Sequence, residues 1–544
     1  MKFYFLSLFC MLTAVASNFL YADAGPAARG NVFLSDYIAR QTPRAVEKVL
    51  EAFVGAKGIL EESDDQDARG LPGAIVAAPS VVLDIGRGEV QDYRWRWKRD
   101  AAISMRAKVR MMIEGELSHL PPAMKVKMVQ YYVDFCKLEH KVHQVSDNQY
   151  ELGHAKVTLD AKKNPHASGY PQNDGPPLEI YALVESINLL DSLKIEQPAL
   201  RQTILELIKH NYEYILQHYS DPSVERWEEA KADSHFSVWL EMGDALRGVL
   251  KLSDRLSGVQ KNILGEKLNE VQPVVNWLSY YLKTKHVSPE GFILAHNNLH
   301  LQSSLAGSKE SALDTQVLMS SLATNKYWDN PEDLFFPPSH PAMRATFQKL
   351  RQAFNKKYPT HEIGRDQATS EPLRGLVFGR YPEDKSHFSG NPWFITSFAA
   401  VQFLLWDALY VTDHGVIQIH ANDFDYFMAL NVANKELLEK RKFESWPLWI
   451  DKTDPIFLPL RNGLVRLAKE SFYRLAVHAG DGRLTEIFDG VSGEKEGIED
   501  LTWSYVEFLK TARLLRRAQN QFAIPLDIQL PKHSCEVLLA NKRE

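Results

Sequence analysis

Two carboxylates stand beside an indole in Arg226-Trp227-Glu228-Glu229, between a break at Asp221-Pro222 and an apolar-periodic segment that starts near Ser234. A second acidic pair, Glu486 and Asp489, occupies Leu484-Thr485-Glu486-Ile487-Phe488-Asp489. Carboxyl groups supplied by separate loops can divide acid–base work. One, kept protonated, gives its proton to a leaving oxygen, and the other attacks carbon or activates a water. Cleavage of a glycosidic bond needs such a pair. From the residues alone, Glu228 or Glu229 and Glu486 or Asp489 can fill either role, and a solvated acidic loop is the bland alternative.

The elements that must position these groups are helical. Apolar residues recur at helical spacing near 36–53, 101–115, 122–138, 178–196, 198–218, 234–252, 255–282, 311–325, 341–357, 393–410, 457–478 and 500–517. Strand patterns are few and short, for example 291–295, and no fixed-period repeat is visible. Twelve helices in sequential pairs predict an all-α fold. The unusual loops fall directly before alternate helices. They are 93–100 before the second, 171–176 before the fourth, 227–229 before the sixth, 379–384 with 390–393 before the tenth, and 484–489 before the twelfth. In a barrel of alternating outer and inner helices, loops entering the inner helices open at one end, so these five motifs converge on one pocket. Loops on a rigid scaffold are where binding groups concentrate. The pocket is rich in Trp, Tyr, Arg, Asp, Glu and Asn, which suits sugar hydroxyls and C–H faces.

The totals restrict the alternatives. The chain has 544 residues, 45% hydrophobic and 24% charged, with net charge −6 and no block of like charge. Nothing in this invites nucleic acid or an anionic membrane. Residues 1–16 read as a secretory signal: Lys2, a short apolar run from Phe3 to Leu12, then Ala14-Val15-Ala16, with Ala22-Asp23-Ala24 as a second cleavage candidate. A secreted or periplasmic protein is expected, with 30–544 as a single catalytic domain. Of three cysteines, Cys10 lies in the signal, and Cys136 falls on an apolar face as an inert core thiol; Cys535 is the third. His140 and His143 lack further ligands at metal spacing and read as surface residues. The nucleophile-elbow pattern is absent, and Gly86-Arg87-Gly88 lacks the third glycine of a dinucleotide loop.

Eight motifs together resemble glycoside hydrolase family 15, the glucoamylases, especially the fungal type. They are Ala74-Ile75-Val76-Ala77-Ala78-Pro79-Ser80, Trp97-x-Arg99-Asp100, Pro171-Gln172-Asn173-Asp174-Gly175-Pro176, Trp227-Glu228-Glu229, Gly379-Arg380-Tyr381-Pro382-Glu383-Asp384, Gly390-Asn391-Pro392-Trp393, Thr485-Glu486-x-Phe488-Asp489 and Asp500-Leu501-Thr502-Trp503-Ser504-Tyr505. The resemblance runs from about residue 36 to 517 in family order. It implies an (α/α)6 barrel and inverting exo-hydrolysis of α-1,4-linked glucose from non-reducing ends, releasing β-glucose without a cofactor or metal. By position, Glu228 resembles the general acid and Glu486 the general base. The resemblance also implies that Arg99 and Asp100 clamp the terminal glucose and that Glu229 and Arg380 hold the leaving-side glucose. Tyr93, Trp97, Trp393 and Trp503 shape the walls, with Asp384 counted among the substrate-binding residues. Each has a structural alternative: barrel core for the tryptophans, loop packing for Tyr93, a helix-start charge pair for Arg99 and Asp100, and an ion pair for Arg380 and Asp384.

The expected partner is a glucan or maltooligosaccharide, acted on by a monomer. Ser168-Gly169-Tyr170 replaces the family's Trp-Gly-Arg, so a large aromatic wall is absent or rebuilt. Lys-Asp-Ala-Asn-Thr survives only loosely as Ser311-Ala312-Leu313-Asp314-Thr315. The chain ends soon after the last barrel helix, so no starch-binding domain is expected, and soluble starch, glycogen or maltodextrin is favoured over raw granules. The same scaffold acting on trehalose or α-1,6 dextran is the alternative. A sugar-binding barrel without catalysis predicts missing carboxylates, and both are present.

Overall fold

The computed structural model describes residues 34–53, 70–79, 81–84, 89–113, 122–145, 152–162, 170–301, 309–324, 335–362, 375–385, 390–430 and 435–522. The expected secretory segment with its candidate cleavage sites, Cys535, Ser80, Gly86-Arg87-Gly88, Ser168 and Gly169 lie outside them.

Twelve helices form the body: α1 Leu34–Glu51, α2 Lys98–Ile113, α3 Pro122–Val145, α4 Gly175–Ser192, α5 Pro198–His218, α6 Phe236–Arg255, α7 Leu268–Lys285, α8 Gln316–Thr324, α9 Pro341–Lys357, α10 Phe394–His414, α11 Phe457–Ala479 and α12 Thr502–Phe522. The even-numbered helices close a ring. Each packs on the next, α2 on α4 through to α10 on α12, and α12 returns to α2. Outside it, α1 packs on α12, α5 on α4, α7 on α6 and α11 on α10. This is the (α/α)6 barrel that the resemblance implies, and it accommodates the all-α fold that the helix count predicts.

Patterning explains the two layers. An outer helix such as α5 buries one stripe, Leu200, Ile204, Leu205, Leu207, Ile208, Tyr212 and Ile215, and leaves its other face to water. Inner helices must be covered on every side. Along α10, residues 394–405 are buried without interruption. That helix is long and apolar enough to cross a bilayer, yet here it is part of the barrel's inner ring.

Eleven short strands stand among the described residues. Five matter for the site: β3 Arg96–Trp97, β4 Lys156–Val157, β5 Ser223–Val224, β6 Ala230–His235 and β7 His296–Leu301, with β3 on β4 and a β5–β6–β7 sheet. Strand β3 runs straight into α2, and β6 into α6. The inner helices therefore start at the end where the motif loops lie.

Three sequence expectations are corrected. The helix expected at 255–282 is broken: Gly258–Leu264 is a short helix, Gly265 turns at φ +82°, and α7 begins at Leu268. The strand expected at 291–295 is a single bridge, Val287 to Ile293, with pairing in earnest only in β7. His143 is buried, not superficial; its Nε2 lies 3.2 Å from Glu179, and Glu139 beside it meets Arg96. Cys136 matches its expectation, for burial pushes its thiol up to about 12.

Candidate active site

The loop carrying Glu228 and Glu229 is the turn of the β5–β6 hairpin, in which Val224 faces Lys231. Its shape is imposed by Glu225. That fully buried carboxylate accepts the backbone N–H of Trp227, of Glu229 at 3.1 Å and of Ala230 at 3.0 Å. Wrapping the chain around one carboxylate forces Glu228 to φ +62°. An L-residue in the left-handed region costs about 1–2 kcal/mol, a cost surrounding contacts must offset. Arg226 anchors the turn in the barrel, donating to Glu241 Oε1 at 2.6 Å and Ser320 Oγ at 3.1 Å. The Trp227 indole donates to Asp314 at 3.0 Å.

Glu228 and Glu229 then part company. The Glu228 side chain keeps 15% exposure. Its Oε1 accepts the Trp97 indole N–H at 2.8 Å, and Lys156 Nζ stands 3.0 Å from Oε2. Arg99 comes within 4.0 Å of Oε1. Glu229 is buried against the next motif: Arg380 donates to Oε1 at 2.7 Å and Tyr381 to Oε2 at 2.6 Å.

Arg380 is held from three sides. Asp384 grips it with two hydrogen bonds of 2.8 and 2.9 Å, and its guanidinium lies 5.2 Å over Trp393. Burial opposes its charge, but Asp384 and Glu229 keep it protonated. The Asp384 carboxylate is itself fully buried, so it positions Arg380 instead of facing the pocket. Gly390, at φ +72°, makes the turn that lays the chain against the Asp384 carbonyl, where a Cβ would collide.

Glu486 enters from the loop before α12. Its backbone joins the Trp393 segment, with the Phe394 N–H on the Glu486 carbonyl at 3.2 Å. Its carboxylate accepts the Tyr93 hydroxyl at 2.9 and 3.1 Å. Asp489, the other candidate from this loop, accepts the backbone N–H of Val491 at 2.9 Å and of Ser492 at 2.5 Å, and so shapes a turn. Nearby Glu494 is exposed, whereas Glu496 is half-buried and accepts from Asn391 at 2.8 Å.

Tyr93 and Trp97 join the two acids. Their rings lie 5.7 Å apart, Tyr93 holding Glu486 and Trp97 holding Glu228. Beside them Arg99 approaches Asp100 at 3.4 Å and Asp174 at 3.3 Å, and its guanidinium lies 5.5 Å from the Trp503 ring. Trp503 is nearly buried and donates to Glu507 at 3.0 Å, so it backs Arg99. Burial, opposed by Arg99, pushes Asp100 up to about 6. All eleven residues singled out from the sequence fall in this one constellation, Asp384 behind Arg380.

Sequence reading missed a second layer. Lys309 is buried 3.1 Å from Glu225 and 3.7 Å from both Glu229 and Asp314. Its neighbour Asp314 lies in the loose Ser311–Thr315 motif. Lys156 lies in no motif; it reaches Glu228 because β4 pairs with β3, setting Lys156 opposite Trp97. Nothing in a two-residue strand announces that pairing. Burial, against the pull of Lys309, pushes Asp314 up to about 7. The folded chain therefore keeps a proton at Asp314 that the unfolded chain has released. Stability from this group is full below about pH 4 and is lost as pH rises towards 7, by a few kcal/mol at most. Asp314→Asn removes that linkage. In urea melts, the wild type's advantage over the variant should be larger at pH 4.5 than at pH 7; an equal advantage at both would show that Asp314 does not titrate in this range.

The family profile of the glycosyl hydrolases family 15 matches residues 64–513. "Glucoamylase-1" of Schizophyllum commune is 25% identical over 486 residues, covering 88% of this chain and 74% of that one. "Glucoamylase, intracellular sporulation-specific" of Saccharomyces cerevisiae is 23% identical over 501 residues, covering 87% and 83%. Among solved structures, a glucoamylase from Saccharomycopsis fibuligera superposes with a TM-score of 0.73 at 20% identity, over 92% of this chain and 99% of that one. At that identity the likeness shows the shared fold.

Proposed function

Because this chain belongs to the glycosyl hydrolases family 15, we propose that it is an exported, inverting, exo-acting glucoamylase. It would release β-D-glucose from the non-reducing ends of glycogen, soluble starch or maltodextrins. The observation that carries this reading is the Glu228–Trp97–Tyr93–Glu486 chain of contacts. It supplies two carboxyl groups, each held by a different ring. Inversion needs carboxyls roughly 6.5–9.5 Å apart, so that a water fits between sugar and base.

In this mechanism Glu228 protonates the glycosidic oxygen as the C1–O bond breaks. Glu486 takes a proton from the water that attacks C1 on the opposite face. Tyr93 keeps the Glu486 carboxylate aimed. Arg99, paired with Asp100 and Asp174, and Asp100 clamp the terminal glucose. Glu229 and Arg380, already fixed to each other, hold hydroxyls of the leaving glucose.

Proton NMR of a maltotriose digest tests the proposal. β-Glucose should appear first and mutarotate to the α form. Early α-glucose, or no glucose, would sink it. A second reading, the same machinery on trehalose or α-1,6 linkages, draws on Tyr170, which stands where the family has arginine and stacks on His154 at 4.3 Å. Comparative rates on maltose, trehalose and isomaltose separate the two. Export rests on residues 1–16, and the N-terminal sequence of the mature protein checks it.

A further inference from the structure

Glu228 has two close cationic or N–H partners, and the Trp97 indole accounts for one of them. We infer that the other, Lys156, is a positioning residue for the proton donor, fixing the second carboxyl oxygen of Glu228 and stabilising the charge that proton transfer leaves there. The inference rests on Glu228 being the general acid.

The geometry is specific. Lysine ammonium groups ordinarily reach into water, but the Lys156 side chain is only 18% exposed. Its stem leaves β4 directly opposite Trp97, and its Nζ lies 4.6 Å over the Trp97 indole and 3.0 Å from Glu228 Oε2. The indole that holds Oε1 thus also seats the cation that holds Oε2. With both oxygens tied, the carboxyl plane is fixed although the Glu228 backbone sits in the left-handed region.

The chemistry follows the electrons. As the C1–O bond breaks, its electron pair goes to the glycosidic oxygen, which takes the Glu228 proton. A neutral carboxyl becomes a carboxylate at that moment. A preorganised ammonium stabilises charge where it develops, more than the bound ground state. A carboxyl group has several acceptor sites, so Lys156 can keep Oε2 as its acceptor while Glu228 presents its proton to the glycosidic oxygen. Arg99, 4.0 Å from Glu228, is committed to Asp100 and Asp174.

The test compares two substrates. Maltose needs a proton on its leaving oxygen; α-glucosyl fluoride, whose leaving group departs as fluoride, needs far less help. Lys156→Met keeps the stem over Trp97 and removes the charge. Loss of a charged hydrogen bond, about 1.5–3 kcal/mol, predicts kcat on maltose falling about tenfold to a hundredfold, with turnover of glucosyl fluoride nearly unchanged. Lys156→Arg should restore most of the maltose rate. Equal losses on both substrates, or no loss on maltose, would overturn the inference. Glu228→Gln runs beside it as the control on the underlying reading. If that variant spares glucosyl fluoride while Lys156→Met does not, the role of Lys156 fails alone. If Glu228→Gln shows no such split, the acid assignment fails and Lys156 falls with it.

Discussion

Glu228→Gln lowers kcat on maltose by two to four orders of magnitude, about 3–5 kcal/mol of transition-state stabilisation. The amide is nearly isosteric, so the turn built on Glu225 and Arg226 should persist. What changes is the atom at the glycosidic oxygen. A glutamine N–H is too weak an acid to follow the departing oxygen, and its single oxygen cannot serve both Trp97 and Lys156. KM should move little, because the clamp of Arg99, Asp100 and Arg380 is untouched. The measurement is kcat and KM on maltose for wild type and variant, with melting curves to confirm folding. Near-normal turnover would remove Glu228 from the mechanism.

How far this site was legible in the sequence depended on which interaction carried the information. Helices announce themselves through apolar period, and the inner helices through loops of alternate parity; both are local properties. Twelve barrel helices and the convergence of five loops were accordingly readable before any coordinates. The exceptions have local causes too. Residues 311–315 read as the start of a helix, but they belong to the loop that holds Lys309 and Asp314 under the Glu228 turn, and α8 begins only at Gln316. Gly265 ends a helix that the apolar pattern alone would continue.

The unreadable part is long-range. Glu225 looks like one more acid beside Arg226, yet it is the carboxylate around which the turn folds, and Lys309 meets it across 84 positions. Lys156 depends on a two-residue strand pairing that no propensity marks. His143 read as surface because its partner Glu179 lies on another helix. In each case an ionisable residue is buried against a distant partner, and periodicity records the burial of apolar groups only. The choice between Glu486 and Asp489 shows the same limit. Both lie in one motif, and only folding shows that one faces Tyr93 while the other caps a turn.

The second large effect belongs to Glu486. In Glu486→Gln the attacking water loses its proton acceptor, and kcat should fall by about two to four orders of magnitude. The Tyr93 hydroxyl can still donate to the amide oxygen, so the loop joined to Trp393 and Phe394 should stay in place. The signature differs from that of Glu228→Gln. Without a base, a better leaving group does not restore the rate, so glucosyl fluoride should be hydrolysed as poorly as maltose. An anionic nucleophile needs no deprotonation. Azide should enter the water's position and restore turnover of glucosyl fluoride, forming the C1–N bond as fluoride leaves and giving β-glucosyl azide. That product has the inverted configuration and would locate the vacated base on the face opposite the leaving group. An α-azide would instead place Glu486 on the leaving-group side. Full activity on glucosyl fluoride without azide would mean that Glu486 activates no water, and the base would have to be sought elsewhere in the pocket.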